Sequence, residues 1–354
     1  MIATVETRAF RNLRDAVVEL EARLVVVEGD NAQGKTALLE AAYLAATTRS
    51  FRTRDPRDAI AHGAATTTVR ALVRGAADSE IELEIRLGRD RGTRAFFVGK
   101  SPVKLPEYLG LVPALALAGD SVRAMKGSPA ERRRFMDRAA AAARPGHIRD
   151  LGDYRRALGH RNRLLRDGAP DRALAPWDEI LARTGEAIRS RRRRELASWQ
   201  HEIGAWPGLF PEGTAARLAY RESAEGPLAD ALQASRADDR RLRQTTVGPH
   251  RDDLAVELEG VDLLRFGSAG QVRAALAALT LAQLRAIRAQ RADSEPLLIL
   301  DDVDTDLDGR RQQALLEAAT REAQTLASTT EPGLASSLAP LRLRVAGGAV
   351  GRVG

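Results

Sequence analysis

The feature that most constrains this chain is one eight-residue segment, Gly29-Asp30-Asn31-Ala32-Gln33-Gly34-Lys35-Thr36. It matches the pattern G-x-x-x-x-G-K-[ST], follows an apolar run at residues 24–27 and precedes an Ala- and Leu-rich stretch at residues 36–46. A strand, a glycine loop and a helix in that order are typical of a phosphate-binding loop, because loop amides and the positive helix end converge on an anion. All eight residues are therefore predicted to line an ATP site. Lys35 would bind the β- and γ-phosphate oxygens, and Thr36 would bind Mg²⁺.

A second motif, Glu295-Pro296-Leu297-Leu298-Ile299-Leu300-Asp301-Asp302, predicts a buried strand that ends in two acids. The carboxyl ends of such strands meet a phosphate loop at the edge of an open α/β sheet. Asp301 is then expected to hold Mg²⁺ through water, and Asp302 to orient or deprotonate the attacking water. The alternative interpretation is a buried strand that ends in an acidic turn, and the presence of the first motif disfavours it.

A third segment, Gly267-Ser268-Ala269-Gly270-Gln271, lies about thirty residues before the second motif and opens a strongly helical stretch. It resembles the S-x-G-Q signature of ABC ATPases, which contacts the γ-phosphate of ATP bound to a partner subunit. In that interpretation Ser268 donates its hydroxyl and acts catalytically, while Gly270 and Gln271 contribute to the same nucleotide site. A serine that merely caps the helix is the alternative. Leu307-Asp308 occupies the place of the D-loop, which crosses the dimer interface in ABC proteins.

Charge and composition exclude fewer classes of function than these motifs do. The formal net charge of +7 is compatible with a polyanionic partner. Nearly all the basic residues are arginine, however, so genomic composition explains the charge equally well. There are no cysteines, no apolar run long enough to span a membrane and no signal-like segment. We therefore expect a cytoplasmic protein without membrane association.

The order of predicted elements indicates an α/β protein: an ABC-type P-loop ATPase head with an antiparallel β subdomain. A helical second lobe without a long coiled coil would interrupt it. We expect a discontinuous head at residues 1–125 and 246–354, with the signature helix at 268–289, and a helical arm at 126–245. The glycine-rich end at 347–354 is expected to be a frayed tail.

Several further motifs, in the order expected, resemble those of the RecF family of bacterial recombination mediators. They are Phe10-Arg11-Asn12-Leu13, Arg49-Ser50-Phe51-Arg52-Thr53, Lys126-Gly127-Ser128-Pro129, Arg161-Asn162 and Gly248-Pro249-His250-Arg251-Asp252-Asp253. Where the family usually has a proline–acid pair, this chain has Ala118-Gly119-Asp120-Ser121. This departure from the family pattern falls in the region that resembles the Q-loop.

The resemblance implies a homodimer that forms around ATP and Mg²⁺ and binds duplex DNA or single-strand/double-strand junctions. It also implies cooperation with RecR and RecO in loading RecA, with roles in DNA replication, DNA damage repair and the SOS response. Asp302 in place of glutamate, and hydroxyls near Ser328 in place of a switch histidine, predict slow ATP hydrolysis. Arg49, Arg52 and Arg54, after the P-loop helix, are the candidate DNA contacts.

Three alternative functions share these nucleotide-binding motifs. A transporter nucleotide-binding subunit is disfavoured by the long gap from Gly29 to Gln271 and by the missing histidine. A cohesin-like head is disfavoured by the short arm. An ATP-bound DNA-binding dimer that never hydrolyses its nucleotide remains open. The arginines at 189 and 191–194 point in every direction around one helix, so they are predicted to be solvated rather than to define one face. His250 is predicted to be a fixed hydrogen-bonding residue.

Overall fold

The computed structural model describes residues 1–75, 79–90, 93–119, 121–206, 208–210 and 214–353. The chain divides into two compact units. The head unit comprises Met1–Val122, Ala205–Glu212 and Ala269–Gly354, and the arm unit comprises Arg123–Gly204 and Gly213–Ser268. Residues 246–268, which the sequence analysis assigned to the head, lie in the arm unit. The physical reason is that strand Asp253–Leu258 pairs antiparallel with Ala216–Arg221 of the same unit.

The described part of the head unit contains two six-stranded sheets and several α-helices. The antiparallel sheet has the order β2-β1-β4-β5-β6-β7 and the largely parallel one has the order β15-β14-β3-β13-β12-β8. The strands of both sheets are β1 (Ile2–Arg8), β2 (Ala16–Glu19), β3 (Leu24–Glu28), β4 (Thr66–Arg74), β5 (Glu80–Gly88), β6 (Arg94–Val98), β7 (Ser101–Val103), β8 (Ala114–Leu117), β12 (Leu297–Leu300), β13 (Gln324–Thr329), β14 (Leu341–Ala346) and β15 (Ala349–Arg352). The helices are α1 (Lys35–Thr47), α2 (Leu105–Tyr108), α3 (Ser121–Lys126, which crosses into the arm unit), α10 (Ala269–Gln290) and α11 (Gly309–Glu322).

Helix α1 lies between the two sheets of the head unit. It contacts β1, β4 and β5 on one side and β8, β12 and β13 on the other. Because a helix covered on both sides has no solvent face, its sequence KTALLEAAYLAAT is apolar around nearly the whole circumference rather than along one stripe. The same core includes Val25 and Val27 of β3 and Ile299 of β12. This packing fixes where α1 begins, and therefore where the phosphate-binding loop lies.

The arm unit consists of long helices around a three-stranded antiparallel sheet with the order β11-β10-β9. Its elements are α4 (Pro129–Ala143), α5 (Gly146–Arg166), α6 (Asp171–Glu202), β9 (Ala216–Arg221), α7 (Leu228–Ala234), α8 (Arg236–Leu242), β10 (Asp253–Leu258), β11 (Val261–Asp262) and α9 (Leu263–Phe266). Helices α5 and α6 pack against each other through Tyr154, Leu181 and Ile188. None of the described helices resembles an extended coiled coil; the longest, α6, has 32 residues.

The fold class is confirmed, and most predicted elements occur close to their expected positions. The prediction of a frayed tail at 347–354 is wrong for the described residues up to 353, because β15 pairs with β14 to complete the parallel sheet. Strands β8 and β9 were not foreseen. β8 forms the edge of the sheet beside β12, and β9 is the partner of β10.

The arginine-rich stretch of α6 is a second correction. Arg189 and Arg192 are buried, at 0% and 3% exposure. Arg189 donates from Nε and Nη2 to the two carboxylate oxygens of Asp252 at 2.8 and 2.9 Å. Arg192 makes the same bidentate contact with Asp137, at 2.9 Å for both bonds. Only the outward-facing members, such as Arg193 and Arg194, are solvated.

His250 is a fixed hydrogen-bonding residue, as predicted. Its Nδ1 accepts from the Tyr154 hydroxyl at 2.7 Å, and its Nε2 faces the Thr245 carbonyl oxygen at 3.1 Å. With a carbonyl oxygen opposite Nε2, the network assigns the proton of the neutral ring to Nε2. Burial lowers the pKa of His250 to about 4, so the ring stays neutral at physiological pH.

We expect Arg189→Met to lower the free energy of unfolding by roughly 3–5 kcal/mol, because it leaves the Asp252 carboxylate buried without its cation. Arg194→Met, on the exposed side of the same helix, should change it by less than about 0.5 kcal/mol. Urea unfolding followed by circular dichroism measures both variants. Equal transition midpoints for the two would contradict the assigned burial.

A candidate nucleotide-binding site at the carboxyl edge of the parallel sheet

The phosphate-binding loop connects β3 to α1 and depends on its two glycines. Gly29 has φ 148° and Gly34 has φ 119°, conformations that side chains disfavour. A Cβ atom at Gly29 would also lie 2.4 Å from the carbonyl oxygen of Val345 in β14, which is closer than atoms can approach. The loop therefore lies directly against the strand beside β3, and no larger residue fits at its start.

Lys35, the first residue of α1, folds back over this loop. Its side chain is buried, and Nζ donates to the carbonyl oxygens of Gly29 at 2.6 Å and Asp30 at 2.9 Å. Both contacts are to neutral oxygens, so an anion held by the loop amides would bind the ammonium more strongly than they do. The position of Lys35 is thus suited to a phosphate group.

The two acids of the second motif lie at the end of β12, where three neighbouring strands meet. Thr36 Oγ1 and Ser328 Oγ both donate to Oδ1 of Asp301, at 2.9 and 2.8 Å. Ser328, the hydroxyl residue near the end of β13, also accepts from the main-chain N–H of Asp302 at 2.8 Å. Since β3, β13 and β12 are adjacent in the sheet, the topology brings together residues far apart in sequence.

The carboxylate of Asp301 is buried beside a second acid. Burial, followed by the neighbouring Asp302 carboxylate, raises the pKa of Asp301 to about 6. A divalent cation would offset both effects and favour the ionised form. A hydroxyl and a carboxylate oxygen 2.9 Å apart are the hard oxygen ligands that Mg²⁺ accepts together with phosphate oxygens and water. The residues present therefore fit this ion.

Asp302 has a backbone conformation that few residues other than glycine adopt, with φ 51°. Its carboxylate lies beside Gly119, so that a Cβ atom at Gly119 would be 3.7 Å from Oδ2. Of the Q-loop-like segment, Asp120 lies outside the described residues. Ala118 and Ser121 form a tight turn, in which the Ser121 N–H donates to the Ala118 carbonyl oxygen at 2.9 Å.

The signature-like segment spans the boundary between the two units. Ser268 is exposed and belongs to the arm unit, while Gly270 and Gln271 lie in the first turn of α10 in the head unit. In the arm unit, Lys126 Nζ donates to the Gly267 carbonyl oxygen at 2.5 Å. In the head unit, a Cβ atom at Gly270 would lie 3.1 Å from the Asp306 carbonyl oxygen, in the loop that follows β12.

The three candidate DNA residues, Arg49, Arg52 and Arg54, are all exposed and follow α1. This segment is tied to α1 through Glu40, which is fully buried. The two carboxylate oxygens of Glu40 accept from Arg11 Nη2 at 2.7 Å and Nε at 2.9 Å, and Arg52 Nη1 lies 3.6 Å from one of them. The structure therefore brings the arginine segment to the helix that carries Lys35 and Thr36, through the Arg52–Glu40 contact.

The contribution of the C-terminal hairpin to the phosphate loop was missed by sequence reasoning. At the β14–β15 turn, Gly347 N–H donates to Gln33 Oε1 at 2.6 Å and Gly348 N–H donates to the Gln33 carbonyl oxygen at 3.0 Å. Asn12 Nδ2 donates to the Ala32 carbonyl oxygen at 3.0 Å from the other side. The Gly347-Gly348 pair was the available signal, since two adjacent glycines indicate a turn as well as a tail.

The fold and the site define a nucleotide-binding head of the ABC ATPase class. Its features are the phosphate loop after β3, the paired acids after β12 and the antiparallel sheet packed on α1. The family model described as RecF/RecN/SMC N terminal domain matches residues 1–341. The protein named DNA replication and repair protein RecF from Agathobacter rectalis is 33% identical over 338 residues, covering 93% of this chain and 92% of that protein. Its namesake from Synechococcus sp. (strain JA-3-3Ab) is 35% identical over 343 residues, covering 92% and 90%. The chain belongs to the RecF family of DNA replication and repair proteins.

Solved structures agree with this assignment. One described as the recombination mediator protein RecF-ATP in the RecFOR pathway matches with a TM-score of 0.88 and 25% identity, covering 100% of this chain and 97% of that chain. An Smc head domain with an extended coiled coil, bound to the C-terminal domain of ScpA from Pyrococcus furiosus, has a TM-score of 0.57 and 16% identity, covering 99% and 95%. The second likeness concerns the fold alone. Among the described residues, no helix is long and apolar enough to cross a membrane.

Gly348→Ala should weaken binding of a non-hydrolysable ATP analogue by about tenfold, because the turn has φ 76° and a Cβ atom there would lie 2.1 Å from the Asn12 carbonyl oxygen. Gly351→Ala is the matched control, since a Cβ atom at that position of the same hairpin meets nothing within 4 Å. Isothermal titration calorimetry on both variants tests the support of the loop. Unchanged affinity for Gly348→Ala would refute it.

Proposed function

We propose that this chain is a slow ATPase switch whose two copies associate around Mg²⁺ and ATP on duplex or gapped DNA. RecR and RecO are the proposed protein partners, and the proposed outcome is assistance in loading RecA. The observation that carries the proposal is the convergence of Lys35, Thr36, Asp301 and Ser328 at one edge of the parallel sheet. Family membership and the RecF-ATP structure, named for the RecFOR pathway, support the nucleotide and the pathway.

The proposed site works by exchange of hydrogen-bond partners. Lys35 leaves the carbonyl oxygens of Gly29 and Asp30 and binds the β- and γ-phosphate oxygens, while the loop amides surround the β-phosphate. Thr36 and Asp301 are the residues that would hold Mg²⁺. When bound, the ion supplies positive charge to the phosphate oxygens. Asp302 orients the attacking water and accepts its proton.

Slow turnover follows from the groups around the acids. Ser328, near the position where a switch histidine would act, already bonds to both Asp301 and the Asp302 main chain. It offers no imidazole for the γ-phosphate. Asp302 is also one methylene shorter than the glutamate of transporter-type ABC proteins. We infer that ATP holds the dimer together and that hydrolysis times its release.

The second half of each site is proposed to come from the other copy. Ser268 and the main chain at Gly270 of one chain would contact the γ-phosphate on the P-loop of its partner. The exposure of Ser268 supports this, because a hydroxyl that serves a second molecule must be accessible. A non-hydrolysing dimer remains the competing function, and turnover measurements with and without DNA separate the two.

Two inactive variants should restore activity to each other if the site is shared. Lys35→Met removes the phosphate cation, and Ser268→Arg places a bulky cation where the γ-phosphate of the partner must bind. In a mixed dimer, one of the two composite sites keeps both wild-type residues. We therefore expect each variant alone to be inactive and the mixture to recover part of the ATP turnover.

A Ser268→Arg protein that dimerises and turns over ATP normally would overturn the signature role. Ser190→Arg is the control, because Ser190 is also exposed but lies on α6 of the arm unit. It should leave turnover unchanged.

DNA binding is proposed to depend on phosphate contacts from Arg49, Arg52 and Arg54. Arg54→Ala should weaken binding several-fold for every sequence and reduce the slope of log affinity against log salt by about one. Arg241→Ala, which is also exposed but lies on α8 of the arm unit, is the control. Fluorescence anisotropy at several salt concentrations measures both. A slope for Arg54→Ala that equals wild type would remove this residue from the interface.

A further inference from the structure

Arg273 is a buried cation of the head unit to which the sequence analysis gave no function. It lies one turn beyond Gly270 in α10 and is only 1% exposed. Burying a guanidinium is costly unless its donors are satisfied, so its partners indicate why it is there. Those partners are main-chain oxygens at the ends of two neighbouring strands.

The guanidinium spans the carboxyl ends of β8 and β12. Nη1 donates to the Ala118 carbonyl oxygen at 2.7 Å, just beyond the end of β8. Nη2 lies 3.2 Å from the Asp301 carbonyl oxygen and 3.3 Å from that of Asp302, just beyond the end of β12. The planar guanidinium presents Nη1 to one strand end and Nη2 to the other in a fixed geometry, whereas a lysine would have to reach both from one nitrogen on a flexible stem.

The hydrogen bonds of Nη2 are made to the main chain at Asp301 and at Asp302, whose backbone conformation is unfavourable for a residue other than glycine. Asp302 has φ 51°, and its carbonyl oxygen also accepts from the Thr305 N–H at 3.0 Å. A strained conformation of this kind persists only where neighbouring groups enforce it. Nε of Arg273 is buried without a hydrogen-bond partner among the described residues. The guanidinium is therefore oriented so that Nη1 and Nη2 donate to the carbonyl oxygens, while Nε is left without such a partner in the described part of the chain.

The first turn of α10, which precedes Arg273, also touches the loop after β12, where Gly270 packs against the Asp306 carbonyl oxygen. Gly270 and Gln271 belong to the proposed signature, which faces the partner's ATP, whereas Asp302 serves the ATP of its own chain. A shift of this turn would therefore move the main chain that carries Asp302. The first turn of α10 connects the two nucleotide sites of the proposed dimer.

We propose that Arg273 is a positioning residue that holds the main chain of Asp301 and Asp302 in place for hydrolysis and ties it to the first turn of the signature helix. The assignment rests on the proposed ATPase function. Arg273→Lys keeps the charge but replaces two nitrogens in a fixed plane with one nitrogen on a flexible stem. It should lower kcat about 10- to 100-fold, the usual effect of a small displacement of a reacting group. ATP affinity and ATP-driven dimerisation should stay within twofold of wild type.

The matched control is Arg288→Lys on the same helix, because Arg288 also donates to a main-chain oxygen, that of Arg321 at 2.5 Å. It should leave kcat unchanged. Hydrogen exchange adds a measurement that needs no turnover. In nucleotide-free Arg273→Lys, the peptide covering residues 301–305 should exchange several-fold faster than in wild type, since its amides report the geometry around the Asp302 carbonyl oxygen.

Loss of kcat with normal affinity, normal dimerisation and faster exchange at 301–305 supports the assignment. A kcat within twofold of wild type overturns it, as does a parallel fall in affinity and melting temperature, which would mean a merely structural role. If wild type itself neither dimerises with ATP nor hydrolyses it, the proposed function fails. The exchange measurement then still decides whether Arg273 positions Asp302, and unchanged exchange refutes that as well.

Discussion

The enclosure of helix α1 between two sheets is the constraint on which the nucleotide site depends. The helix begins where β3 ends, so its position fixes Lys35 and Thr36 relative to the acids at the end of β12. The buried Glu40 on the same helix anchors Arg11 and lies beside Arg52. The phosphate loop and the proposed DNA-binding segment are therefore attached to one rigid element. A displacement of α1 would affect both.

The carboxyl edge of the parallel sheet supplies the second half of the site through hydrogen bonds rather than through further apolar packing. Thr36 and Ser328 both donate to one carboxylate oxygen of Asp301, which connects helix α1 with the ends of strands β13 and β12. That carboxylate is buried and its pKa is raised. Burial and the adjacent Asp302 carboxylate are the main causes, and a bound divalent cation would offset both.

The local motifs could be predicted from the sequence because their physics is contained in consecutive residues. We could recognise the glycine loop before a helix, and the acids after four apolar residues, without knowing which distant residues they contact. Arg189 and Arg192 could not be separated from the solvated Arg193 and Arg194 in this way. Only Asp252 and Asp137, far away in sequence, distinguish them. The three-residue spacing of the buried pair, on one side of the helix with Leu196 and Trp199, was the signal that was overlooked.

The C-terminal hairpin illustrates the same limit. Its last residues look like a flexible tail, yet they complete a sheet whose central strand is β3, more than three hundred residues earlier. The contacts of Gly347 and Gly348 with Gln33 follow from that pairing. The glycine-rich composition therefore gave a wrong prediction where strand pairing over a long sequence separation determines the structure. The predictions from local turn and strand signals were correct.

The proposed association of two copies around ATP can be measured by sedimentation equilibrium of the chain with Mg²⁺–ATP analogue, with Mg²⁺–ADP and without nucleotide. We expect a dimer mass with the ATP analogue and a monomer mass in the other two conditions. The same mass in all three conditions would contradict it.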